Sequence, residues 1–391
     1  MTNDQITYKR LGDYIREVNV RNRELKVTEP MGINIDKHFM PSVANVIGTD
    51  LSTYKLVSKN QFACNLMHVG RDEKIPMAMQ TDDNPIIVSP AYFVFEVTKT
   101  DELLPEYLMM WFCRKEFDRN AWFYTDADVR GGLDKEALMD MQLPVPSIER
   151  QREIVSEYET LTRRIRLNEQ MIEKLETTAQ ALYRHTFVDN IDKQNLPQGW
   201  HLATLGEIFD ITIGRTPPRA EEKWFCGEAE KENNLPWVSI ADMNNGMYIL
   251  NTRERLTKEA VDRFKIPVVP PFSVLLSFKM TVGRVCITTE TTLSNEAIAH
   301  FVFKDNQHIC EFLYLCLKDV DYKAIGSTSS ITEAINTNMI KQMQIIMPSD
   351  GEMRCFHENV YHIFYAIKLK QQENIKLTEL QSLLLAKMGR K

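Results

Sequence analysis

VPSIERQREIVSEYETLTRRIRLNEQMIEKLETTAQALYRHTFV, residues 145–188, is the stretch that decides the architecture. From Ile154 the apolar residues step by four and three. The run is Ile154, Tyr158, Leu161 and Ile165, then polar Asn168, then Ile172, Leu175, Ala179 and Leu182. That spacing is a heptad seam with one polar interruption. No Pro or Gly occurs from Glu149 to Val188, so one unbroken helix over 149–188 is expected. At 1.5 Å per residue it would be about 60 Å long. A lone helix of that length is poorly stabilised, so the seam needs a partner.

The same chain supplies one. A shift of 202 positions gives Phe356, Val360, Ile363, Ile367, Lys370, Asn374, Leu377, Gln381 and Leu384. This second seam, on a helix over 351–391, is apolar at first and more polar later. Leu380 and Leu383 are expected to carry the later contact by a slight change of face. The two helices are expected to pack as an antiparallel coiled coil. Asn168 in the seam either fixes register or marks an exposed, frayed position.

Outward from the helices, more of the chain repeats. Leu11-Gly12-Asp13 returns as Leu205-Gly206-Glu207, a shift of 194. Glu106-Tyr107-Leu108 returns as Glu311-Phe312-Leu313 at 205, and Pro146-Ser147 as Pro348-Ser349 at 202. Val69-Gly70-Arg71 returns as Val282-Gly283-Arg284 at 213, so the intervening loops differ in length. The chain therefore reads as an internal pseudo-two-fold repeat: a block at 1–148, helix 149–188, a polar linker at 189–199, a block at 200–350 and helix 351–391. Each block reads as α/β (α+β). Strand-like segments are Pro85–Val97, Val268–Leu276, Arg284–Thr288 and Ala297–Phe303; Leu104–Phe117 and Glu311–Lys318 are helical.

Composition bounds the function. The 391 residues are 43% apolar and 26% charged, which argues against disorder. The net charge of −7 excludes a generic polycation, so nucleic-acid binding would have to come from local basic patches. No apolar run of about 18 residues suggests a membrane span, and the polar start lacks a signal-peptide core. The seven cysteines are odd in number and include no C-x-x-C pair. Neither a disulfide framework nor a zinc site is expected; buried, reduced thiols in a cytoplasmic protein are. P-loop, dinucleotide-binding, zincin, deaminase and nucleophile-elbow motifs all fail, which favours a binding protein over an enzyme.

The binding chemistry lies in loops. Arg16, Arg21, Arg23 and Lys26 cluster with Asn19 and Asn22. His68 and Arg71 flank Val69-Gly70, and Arg130 precedes Gly131-Gly132 beside Trp122, Phe123 and Tyr124. In the second copy, Gly214-Arg215-Thr216-Pro217-Pro218-Arg219 is a stiff basic turn. Lys279, Thr281 and Arg284 surround Gly283, and Ser327 and Thr328 follow Gly326. Arg and Lys pair with phosphates or guanine edges, Asn reads adenine, and Gly permits close backbone approach. Such clusters recur at matching places in both copies.

Three stretches carry a family resemblance: Asn60–Val97, Phe117–Gln151 and Leu196–Arg219 (LPQGWHLATLGEIFDITIGRTPPR). With the VPS-x-E-x-Q lead into the long helix at Val145–Gln151, the chain resembles, over its whole length, the specificity (S) subunit of type I restriction–modification systems. The second copy of that lead is degenerate (Met347-Pro348-Ser349-Asp350-Gly351-Glu352), which leaves the start of the second helix open. The resemblance implies two target recognition domains, each reading half of a bipartite sequence in double-stranded DNA. It implies two methylation (M) subunits as partners, which carry S-adenosylmethionine, and two restriction (R) subunits where cleavage occurs, which use ATP and Mg. This chain would carry no cofactor, metal or catalytic residue. Arg21, Asn22, Arg23, Lys26, His68, Arg71 and Arg130 are then the DNA-contact candidates of the first domain. Arg215, Thr216, Arg219, Lys279, Thr281, Arg284, Ser327 and Thr328 are those of the second. A helix of about 60 Å, at 3.4 Å per base pair, bounds the half-site separation at roughly 18 base pairs. A coiled-coil scaffold with two protein-binding domains and no DNA role is the alternative.

Overall fold

The computed structural model describes residues 7–43, 48–67, 69–125, 131–189, 191–227, 234–303, 308–325 and 335–388. The chain divides into two compact units, one of residues 1–164 with 376–391 and one of residues 165–375.

The first unit runs β1 (Thr7–Arg10), β2 (Ile15–Glu17), β3 (Pro30–Ile33), β4 (Phe39–Pro41), β5 (Lys55–Val57), β6 (Gln61–Cys64), α1 (Val69–Asp72), β7 (Met77–Met79), β8 (Ile86–Val88) and β9 (Phe93–Val97). Then come α2 (Pro105–Phe112), α3 (Lys115–Phe123), α4 (Lys135–Met139), β10 (Gln142–Val145) and α5 (Ile148–Phe187). Two four-stranded sheets form, in the orders β2-β9-β6-β7 and β4-β3-β8-β5, and β1 pairs antiparallel with β10. The core is aromatic. Phe62 and Phe95 stack at 5.0 Å across paired strands, and Phe112 from α2 meets Phe62 edge-on at 5.8 Å.

Three segments differ from the sequence expectation. In Val268–Leu276 the strand begins only at Val274, because Pro270-Pro271 leads into a turn there. Pro85–Val97 is two strands in different sheets, because Pro90 has no N–H for a ladder and the chain turns there, with the Tyr92 N–H bonded to the Ser89 carbonyl. Leu104–Phe117 breaks at Arg114, whose backbone is extended. The bend folds Phe117 back onto Trp111 and Phe112, with ring centroids 4.8 and 4.9 Å apart.

The second unit runs β11 (His201–Thr204), α6 (Leu205–Ile208), β12 (Asp210–Ile213), β13 (Phe225–Cys226), β14 (Asn234–Val238), β15 (Tyr248–Ile249), β16 (Glu254–Thr257), α7 (Lys258–Phe264), β17 (Val274–Ser277), β18 (Val285–Thr288), β19 (Leu293–Ser294) and β20 (Ile298–Val302). It continues through α8 (Ile309–Asp319), α9 (Tyr322–Ile325), α10 (Thr337–Lys341), β21 (Gln344–Met347) and α11 (Asp350–Lys387). Its sheets have the orders β12-β20-β17-β18-β15 and β13-β16-β14-β19, and β11 pairs antiparallel with β21. The first unit's path returns strand for strand in β12-β20-β17-β18, and β15 is an addition. In the other four-stranded sheet of each unit there is one parallel pairing, β3 with β8 and β14 with β19.

Each long helix contributes to the core of both units. In the first, Val155 and Met388 are buried, with Ile154, Tyr158 and Leu385 packed against them. In the second, Ala179, Tyr183 and Phe187 share a core with Phe356, Val360, Phe364 and Ile367; Ile172, Leu175 and Ile363 pack onto it. Asn168 is buried and donates its amide to Asn374 at 2.8 Å, so the polar seam position is a paired one. Ile165 and Leu377 are half-buried.

The seam expectation needs two corrections. Leu182 is exposed, and Tyr183 and Phe187 face inward instead. The helix turns every 3.6 residues, so a strict seven-residue repeat drifts off its face, and Ala179, Tyr183 and Phe187 follow the i, i+4, i+8 line. Leu380 and Leu383 are also exposed, and with Leu161 and Leu384 they line an open groove of about 450 Å³. The cysteines are not all buried either: Cys355 on α11 is exposed.

Candidate nucleic-acid interface

In the first unit, local chemistry gathers three loops. The Leu133 N–H bonds to the Leu66 carbonyl, and Thr125 bridges Leu133, so the Gly131-Gly132 segment lies on the turn after β6. A buried ion pair sits below. Lys37 Nζ is 2.6 Å from the Asp118 carboxylate on α3 and lies 5.0 Å over the Phe117 ring. The same carboxylate accepts the Ile75 N–H. Burial drives the Lys37 ammonium below its usual pKa, and Asp118 opposes that shift.

The sequence-derived candidates of this unit separate by environment. Arg23 and Lys26 are exposed, and Lys26 pairs with Glu24 at 2.5 Å. Arg21 is half-buried and donates to the Thr53 carbonyl. Asn22 is a correction: its amide is buried, donates to the Val27 carbonyl at 2.7 Å and accepts the Val27 N–H at 3.4 Å. It is spent on closing its own loop and has no side chain left for a base. Arg71 lies in α1, and its side chain is not among the described residues. His68 and Arg130 also lie outside the described residues. Trp122, Phe123 and Tyr124 at the end of α3 are exposed.

In the second unit the basic turn is clamped to the sheet. A Cβ on Gly214 would sit 2.2 Å from the Ser294 carbonyl, so only glycine fits. The Arg215 N–H bonds to that carbonyl at 2.9 Å, and Trp237 Nε1 donates to the Arg215 carbonyl at 3.2 Å. Below lies His300, fully buried between Ser294 Oγ at 2.5 Å and Thr212 Oγ1 at 3.1 Å. Burial pushes its pKa down to about 4, so the imidazole is neutral.

Above this base stand the candidates. Arg219 makes a two-pronged pair with Glu254 at 2.7 and 2.9 Å and lies 4.2 Å over Phe225 and 4.8 Å over Trp237. The Thr216 hydroxyl donates to Glu296, which holds that carboxyl below its ordinary range; Lys279 and Arg219 reinforce the effect. Thr216 thus bonds this carboxylate, and Lys279 and Arg219 add their charge to its field. Arg215 is exposed and donates to the Phe264 carbonyl at 3.1 Å. Thr281 is exposed at the β17–β18 turn. Arg284 is half-buried and donates to the Ile240 carbonyl at 2.9 Å, so it braces the turn. Ser327 and Thr328 lie outside the described residues.

Sequence reasoning missed Glu254, Glu296, Phe225, Trp237 and His300. Glu254 lies between Arg253 and Arg255, a basic run that sequence reasoning passed over; the other four have no such signal and are found only by proximity after folding. Among the described residues, no three His, Cys, Asp or Glu side chains are grouped to hold a metal, and no helix is long and apolar enough to cross a membrane.

The second unit thus offers a clamped basic turn that requires Gly214, and the first holds Gly132 against the turn after β6. Residues 197–384 match the family described as the type I restriction modification DNA specificity domain. The type I restriction enzyme HindI specificity subunit of Haemophilus influenzae is 24% identical over 385 aligned positions, covering 79% of this chain and 82% of that one. The MjaIX specificity subunit of Methanocaldococcus jannaschii is 22% identical over 188 positions, 47% of this chain and 42% of that one. The crystal structure of a type I restriction–modification S subunit from M. genitalium shares the fold with a TM-score of 0.56 at 14% identity, covering 100% of this chain and 98% of that one. The chain is thus similar over most of its length to type I restriction–modification specificity subunits, and its second unit matches their DNA specificity domain.

Proposed function

We propose that each unit reads one half of a bipartite target in double-stranded DNA, and that α5 and α11 pack antiparallel to set the spacing of the halves. The observation that carries this reading is the repeated strand path, with a clamped, glycine-dependent basic turn on its second copy. Two related surfaces on one chain suit two strands of a duplex related by its own two-fold, and suit two copies of one partner. Those partners are two M subunits, which supply S-adenosylmethionine and the adenine methylation site. R subunits, with ATP and Mg, join for cleavage. The chain itself recognises and recruits without catalysis. Its work lies with DNA in the cytoplasm, and its acidic net charge leaves much of the phosphate contact to M.

The test is co-expression with the cognate M subunit and mapping of N6-methyladenine across host DNA. A split motif with one modified adenine per strand is expected. Exchanging residues 1–148 for those of a relative should change only one half. A stable complex that adds no methylation would favour the protein-binding scaffold.

A further inference from the structure

The turn between β17 and β18 displays an apolar side chain. Met280 at its apex is 91% exposed and has a left-handed backbone, with φ of 62°. The turn is braced from within. The Ser277 carbonyl accepts the Gly283 N–H at 3.0 Å; the Ser277 hydroxyl donates to the Thr281 carbonyl and accepts the Arg284 N–H at 3.0 Å. Gly283 has φ of 89° and backs onto the Tyr322 ring, where a Cβ would come within 2.8 Å. Exposure of Met280 is therefore fixed by the turn's geometry.

The same residue recurs in the first unit. Met67-His68-Val69-Gly70-Arg71 aligns with Met280-Thr281-Val282-Gly283-Arg284 at a shift of 213. Met67 follows β6 as Met280 follows β17, the matching strand, and it too is exposed, at 40%. Its N–H is held by Asn65 Oδ1 at 3.0 Å. The residues just before differ, Asn65-Leu66 against Phe278-Lys279, so the methionine is repeated where its neighbours are not.

The surroundings indicate what it meets. Lys279 is adjacent, and its charge reaches the Glu296 site together with that of Arg219. A polarisable apolar tip beside cations suits a polyanion that also offers apolar surface, which is the edge or face of a DNA base. We propose that Met67 and Met280 are equivalent apolar base contacts, one in each half-site. This rests on the DNA-recognition reading above. The surface contacted is either a thymine methyl group or a base face opened at a kinked step.

The experiment titrates the complex of this chain with its M subunits against the mapped target and a scrambled duplex. Met280→Gln and Met67→Gln should each weaken target binding roughly five- to tenfold, leave the scrambled duplex unchanged and relax only their own half-site. Met280→Leu keeps the apolar tip and should stay within about twofold of the parent. Deoxyuridine in place of thymine should reproduce the loss if the contact is a methyl group. A 2-aminopurine at the step should brighten with the parent, and not with Met280→Gln, if the contact is an opened face. Parent-like selectivity in both glutamine variants would overturn the proposal. A parent complex without selectivity would overturn the DNA-recognition reading itself, and this inference with it.

Discussion

The two units share a strand path and fasten it differently. Where β10 passes into α5, Gln151 is fully buried; its amide donates to the Glu102 and Pro146 carbonyls at 2.7 and 2.9 Å and accepts the Leu104 N–H at 2.9 Å. The corresponding residue in the second unit is Met353, buried in the core. There the fastening moves to Glu352, which accepts Trp200 Nε1 and the Ser349 hydroxyl. Under the candidate DNA surface, the first unit has the Lys37–Asp118 ion pair and the second the neutral His300 between two hydroxyls. The apolar layer tolerates drift between copies, because any side chain of suitable volume fills it. A buried polar group needs its own partner, so each copy solves that locally.

The comparison can be broken most forcefully at the ion pair. Asp118→Ala leaves a buried ammonium unpaired and should destabilise the first unit by about 3–5 kcal/mol, measured by urea denaturation. The double variant Lys37→Met, Asp118→Leu should recover part of that loss, since the Ile75 N–H that Asp118 accepted stays unpaired.

The second unit should respond to pH instead. With His300 titrating near 4 in the folded chain and near 6.5 unfolded, the unfolded state binds the extra proton between those values. Stability is full above the unfolded value and falls as pH drops through the window, by about 3 kcal/mol in total. Urea midpoints measured across the window should show this slope, and His300→Asn should flatten it.

Gln151→Ala strands one N–H and two carbonyls and should cost about 1–3 kcal/mol. Gln151→Met, which imports the second unit's residue, should not rescue it, because the stranded groups remain; thermal melts of the two variants compare them directly. Smallest is the exposed bond from Gln381 to the Thr162 hydroxyl at 2.7 Å. Gln381→Ala should shift stability by less than about 0.5 kcal/mol in the same melts.

Periodicity and repetition made the helices legible, since a 3.6-residue face and a heptad seam are local properties of the chain. The start of α5 at Ile148 and the burial of Asn168, Phe356, Val360 and Ile367 follow that pattern. The basic turns were legible too, through Gly214 and the Val-Gly-Arg repeat. The turn at Pro90 was signalled by the proline, yet which sheet each flanking strand joined was not.

What the sequence by itself determined is therefore the duplication, the two long helices and the turns that carry cations. The tertiary structure alone decided which of those polar residues remain available. Asn22 looks like a DNA contact in the chain and is consumed by Val27, whereas Arg284 gives one of its donors to the Ile240 carbonyl. Glu296 looks like an ordinary loop acid and accepts the Thr216 hydroxyl in the field of Arg219 and Lys279. A pattern of apolar residues is written along one helix or strand, whereas a hydrogen-bond partner is supplied by whichever distant segment folding brings within about 3 Å.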